Sequence, residues 1–86
     1  MLKGTTTTGF KFELSENRLN NFELVETLAE VDENPLLLPK VVVMLLGKEQ
    51  SDRLKNHLRD EEGLVSTDAM TKEVMEIFAS QKETKN

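Results

Sequence analysis

Asn34-Pro35-Leu36-Leu37-Leu38-Pro39-Lys40-Val41-Val42-Val43-Met44-Leu45-Leu46-Gly47 is the stretch on which the fold turns. Pro39 fits the first position of a helix, where its missing N–H costs nothing. The run Val41 to Leu46 behind it is apolar on every side, so a helix there has no solvent face and belongs at the centre of the domain. Three consecutive valines favour extended structure, and periodicity alone does not separate the two states over so short a run. The flanking segments decide for helix, because both carry helical patterns, and Gly47 is placed to end it with a sharp change of direction.

Upstream, Asn20 followed by Glu23 resembles a capping box, and Phe22, Val25, Leu28 and Ala29 then share one face of a helix over about 21–30. Asp32-Glu33-Asn34-Pro35 reads as a turn, since the residue before proline is pushed out of the helical region. Further back, Phe10, Phe12 and Leu14 alternate with Lys11 and Glu13, the period of a half-buried strand over about 9–14. A lone strand leaves its backbone unpaired, so the threonine-rich segment before it is expected to fold back as a hairpin turning near Thr8-Gly9.

Downstream, Leu54 and Leu58 lie one turn apart in an otherwise polar helix over about 48–59, which is therefore largely solvent-facing. Asp60-Glu61-Glu62-Gly63 closes it. Ser66 or Thr67 then caps a last helix whose Met70, Val74, Ile77 and Phe78 form an apolar stripe. From Ser80 onward no apolar residue follows, and 81–86 is expected to be a flexible polar tail. The reading is a mainly α fold: one small four-helix domain over 1–80 with a short N-terminal β-strand or hairpin.

Eighty-six residues make one domain, whose core must come from aliphatic packing because there is no cysteine for disulfides or thiolate metal sites. The lack of cysteine fits a reducing compartment. The net charge of -5 repels phosphate backbones and anionic lipid, so neither nucleic acid nor membrane is expected as a partner. The longest apolar run is far below the roughly 20 residues that span a bilayer, and no apolar signal region opens the chain. A cytoplasmic protein is expected. Without Trp or Tyr, any binding face is aliphatic, with Met and Phe as its larger members.

Candidate chemistry is sparse. The single histidine, His57, is positioned to contact Asp60 one turn on, and one histidine without cysteine does not compose the common zinc sets. Asp32-Glu33 and Asp60-Glu61-Glu62 lack the alternating carboxylates and central glycine of a calcium loop. Gly47-Lys48 lacks the upstream glycine and following hydroxyl of a phosphate loop. No enzyme activity, metal or cofactor is expected. The apolar residues offer more: Leu36, Leu37, Val41, Met44, Leu45, Met70, Val74, Ile77 and Phe78 are either core or, in part, a face for identical subunits or for an apolar client helix. Methionines at 44, 70 and 75 suit an adaptable surface and fill cores equally well.

Three segments together resemble a known family: GFKFEL (9–14), NNFELVETLAEVDENPLLLPKVVVMLLGKEQSDRLKNHLRDEEG (20–63) and MTKEVMEIF (70–78). They are similar to the short tail assembly chaperones of long-tailed phages and prophages of Gram-positive bacteria. The likeness rests on the acidic helix leading to Glu33-Asn34-Pro35, on Leu45-Leu46-Gly47, on His57-Leu58-Arg59 and on Glu76-Ile77-Phe78. The resemblance implies a noncatalytic protein that keeps tape measure protein soluble until tail tube subunits polymerise around it, working as a homo-oligomer in the host cytoplasm. It assigns no individual site residues. It also implies a programmed minus-one frameshift product, and Thr84-Lys85-Asn86 is encodable as ACA AAA AAC, which contains a slippery heptamer; the codons of the gene test this directly. A small helical regulator or antitoxin-like adaptor is the competing reading. Against it, the most basic stretch, Arg53 to Arg59, adjoins an acidic cluster.

Overall fold

The computed structural model describes residues 2–82, in the order strand, strand, helix, helix, 3-10 turn, helix, helix. Strands β1 (Leu2–Thr5) and β2 (Lys11–Leu14) form an antiparallel hairpin in which Leu2 faces Leu14 and Thr5 faces Lys11. Its turn is centred on Thr7 and Thr8, with Gly9 at φ 93° completing it and the Gly9 N–H bonded to the Thr6 carbonyl at 2.9 Å. The alternation in β2 places Phe12 and Leu14 inward, and Phe10 just before it is buried too.

A one-turn helix not expected from the sequence follows, α1 (Glu16–Leu19), capped by the Ser15 hydroxyl, which accepts from the Asn17 and Arg18 amides. Helix α2 (Phe22–Glu30) is capped by Asn21, not by Asn20: the Asn21 side chain accepts from the Glu23 amide at 3.0 Å. Its inward residues are Leu24, Leu28 and Val31, so the stripe expected from Phe22, Val25, Leu28 and Ala29 is turned about the axis.

Pro35–Leu37 forms a 3-10 turn that runs into α3 (Leu38–Leu58). Gly47 breaks this helix at φ 84°, ψ 165°, a backbone conformation that side chains with Cβ atoms resist. The apolar half before Gly47 buries Leu38, Val41, Val42, Leu45 and Leu46, but Val43 is exposed and Met44 half-buried, so the helix keeps one side toward solvent where none was expected. The half after it buries only Ser51 and Leu54. The break frees carbonyls at the end of the first half, and the Arg18 guanidinium donates to those of Val43 and Met44 at 3.2 Å. Capping this break gives α1 its structural purpose.

Asp60 organises the loop after α3, its carboxylate accepting from the Glu62 and Leu64 amides. Helix α4 (Thr67–Lys82) starts with the Ser66 hydroxyl accepting from the Ala69 amide. The helix continues through 81 and 82, where a flexible tail was expected; 83–86 lie outside the described residues. One core, lined by β2, α2, α3 and α4, fills the domain. The molecule is thus mainly α, a small four-helix domain with an N-terminal hairpin.

Candidate protein-binding surface

The nine residues singled out above separate by burial. Val41, Leu45, Met70, Val74 and Ile77 lie in the core, because the first half of α3 and the inner stripe of α4 pack against each other and beneath the hairpin. Val41, Leu45 and Ile77 offer a partner no surface in this fold, whereas Met70 and Val74 reach only the walls of grooves. Leu37, Met44 and Phe78 are half-buried against the core. Leu36 alone stands fully out, 86% exposed.

The apolar surface lies largely on other residues. Phe22 is 72% exposed at the first turn of α2, and Val25, Val43, Leu64 and Met75 are exposed as well. Val43 lines one groove, and Val25 and Met75 line another. The first, of about 340 Å³, lies between the start of α3 and the start of α4, bordered by Leu36, Pro39, Val43, Val65 and Met70. The other, of about 310 Å³, lies between α2 and α4, bordered by Val25, Leu28, Ala29, Thr71 and Met75. Buried Leu38 forms part of the wall of both. The missed signal was surplus: α2 and its C-cap carry Phe22, Leu24, Val25, Leu28, Ala29 and Val31, more apolar residues than one buried stripe uses.

The charge along α2 and the turn after it is one-sided, whereas Lys55 lines the groove between α3 and α4. Glu23, Glu26, Glu30, Asp32 and Glu33 are exposed on α2 and the turn after it, and no lysine or arginine occurs between Leu19 and Pro39. A chain that covers α2 with an apolar segment therefore gains from cationic flanks and loses from anionic ones.

A separate polar cluster sits at the hairpin tip. The Thr8 hydroxyl donates to Glu73 Oε2 at 2.8 Å, and Glu73 is 2% exposed, an uncommon depth for a carboxyl group. With that proton committed, His57 Nε2 faces two acceptors, Thr8 Oγ1 and the Thr8 carbonyl, each at 3.1 Å, and carries a proton to donate. Glu76 accepts from the Thr7 amide and hydroxyl at 2.8 and 3.1 Å. The His57 ring also tilts against Phe10, 5.5 Å between centroids. His57 is thereby drawn to the hairpin and not to Asp60, whose carboxylate is taken up by its own loop. These bonds latch the hairpin tip onto α3 and α4.

No protein-family model matches the chain, and no curated protein or solved structure matches it. Among the described residues, no helix is long and apolar enough to cross a membrane, and no group of three or more His, Asp or Glu is placed to hold a metal ion.

Proposed function

We propose that this chain is a tail assembly chaperone of a phage or prophage, binding tape measure protein and tail tube subunit in the host cytoplasm as a noncatalytic homo-oligomer. The observation that carries the reading is the exposure of Phe22 and Leu36 on an acidic body that also holds two largely apolar grooves, one of them lined by Leu36. Leaving large apolar side chains in water forgoes about 1.5–3 kcal/mol each, and several of them on so small a domain mark surface meant to be covered. The resemblance stated above names the partner. An amphipathic client helix lays its apolar face across α2 and the head of α3, with lysines or arginines at its margins meeting Glu23, Glu26 and Glu30. The remaining negative charge keeps loaded complexes apart by mutual repulsion.

Co-expression tests this reading. A tape measure fragment that precipitates alone stays soluble with the chain present, and Leu36→Asp or Phe22→Asp abolishes the effect while helical content is retained. Equal solubility of the fragment with and without the chain would refute the proposal.

A further inference from the structure

The two edges of the hairpin are treated differently by the rest of the molecule. In β2, Lys11 and Glu13 point their backbone groups away from β1, and α3 covers them. Gln50 accepts from the Glu13 amide and donates to the Glu13 carbonyl, both at 2.7 Å, reproducing with a side-chain amide the pair of bonds a third strand would make. Arg53 donates to the Lys11 carbonyl at 2.9 Å. The sheet cannot grow on that side.

The register fixes what happens on the other side. Thr6 donates to the Phe10 carbonyl, so the narrow, hydrogen-bonded pairs of the hairpin are those of Gly4 with Phe12 and Leu2 with Leu14. Lys3 and Thr5, opposite Glu13 and Lys11, therefore turn their N–H and C=O groups outward from β1. No partner among the described residues meets them. Gly4 lies between them, and its place is fixed by Phe12: a Cβ there would come within 2.6 Å of the ring.

We propose that β1 is an assembly edge, on which a second copy of this chain lays its own Leu2–Thr5 strand antiparallel, around a two-fold axis at Gly4. The sequence about Gly4 makes the edge self-complementary. Lys3 of each copy falls opposite Thr5 of the other, and both outward-facing residues exchange their backbone bonds across the axis. Short length and a lysine are the usual guards of a strand edge. Here Lys3 leans back over β2, its ammonium 3.9 Å from Glu13, and the two-fold places it beside a threonine rather than directly opposite a second lysine. The charge also fits. Although the chain as a whole is anionic, the hairpin face beside this edge carries Lys3, Lys11 and Arg53 against Glu13 and Glu49, so the edge is not flanked by the acidic surface of α2. A contact of four-residue strands is far smaller than the roughly 1,200 Å² of a stable interface, so the dimer is weak and governed by concentration. The inference gives a surface to the self-association proposed above and needs no client.

Sedimentation of the full chain from roughly micromolar to millimolar concentration, paired with amide exchange, tests it. A dimer fraction should rise with concentration while the Lys3 and Thr5 amides gain protection in step. Thr5→Pro removes an outward-facing donor at a position where an edge strand tolerates proline, and should weaken the dimer about tenfold or more. Amide exchange on the unaltered chain keeps the test independent of how that variant folds. A monomer at every concentration, or a dimer in which the Lys3 and Thr5 amides exchange as freely as in the monomer, overturns the proposal. A monomer would also remove the homo-oligomer from the proposed function, a dimer with freely exchanging Lys3 and Thr5 amides would remove only this edge, and neither touches the co-expression result.

Discussion

The inner stripe of α4 and the outer stripe of α2 are both apolar and have opposite fates. Met70, Val74 and Ile77 are sealed, because α4 lies against α3 and beneath the hairpin. Phe22, Val25 and Ala29 are open, because α2 is a peripheral helix whose only inward side is already filled by Leu24, Leu28 and Val31. Apolar character alone does not mark a binding face. What marks it is apolar surface beyond what the available neighbours can cover.

The largest effect that would break this comparison belongs to the sealed side. Leu45→Ala, which empties a fully buried site, should cost about 2–5 kcal/mol and lower the urea midpoint sharply. A near-neutral result would mean that the centre of the domain is not where the fold places it. The latch should come next. Thr8→Val leaves Glu73 buried without its donor and should cost about 1–3 kcal/mol, whereas the pair Thr8→Val with Glu73→Met should recover most of that loss, because no carboxylate then remains to be satisfied. Failure of the pair to recover would show that Thr8 matters for some reason other than Glu73. Gly47→Ala should cost about 1–3 kcal/mol through its positive φ, although the space there is open enough for a methyl group.

On the open side, Phe22→Ser and Leu36→Ser should each change stability by less than about 0.5 kcal/mol by chemical denaturation. The smallest effect concerns Asp52, whose carboxyl is held below the ordinary aspartate range by the hydrogen bond from Lys48, at 3.1 Å, and then by Lys55. A lowered value stabilises the fold above the ordinary range and loses that contribution as pH falls through the lowered value. Asp52→Asn should therefore leave stability near neutral pH almost unmoved and slightly flatten its decline in acid, as followed by circular dichroism.

How much of this was legible beforehand follows from the physics of each element. The hairpin, the central helix and the Gly47 break were readable because period-two alternation, a run apolar on every side and a lone glycine are local signals. Helix α1 was not, since one turn carries no periodicity, and its reason is tertiary: Arg18 must reach the carbonyls freed at Gly47. Asn20 and Asn21 are equally good caps by type, and only the bond to the Glu23 amide separates them. Of the exposed apolar residues, Leu36 was found because it sits between two prolines, outside any stripe. Phe22 and Val25 were read as the inner face because six apolar residues on a short helix admit two stripes, and the choice between them depends on where α3 lies. The buried Glu73 had no signal at all, because its partner, Thr8, is brought to it by the hairpin turn.

The most direct test follows backbone amide shifts of the labelled chain as a soluble tape measure fragment is added. The account predicts shifts gathered on Phe22, Val25, Leu36, Val43, Leu64 and Met75, with Val74 and Ile77 little changed. Shifts confined to the hairpin trough, or none at all at saturating fragment, would contradict it.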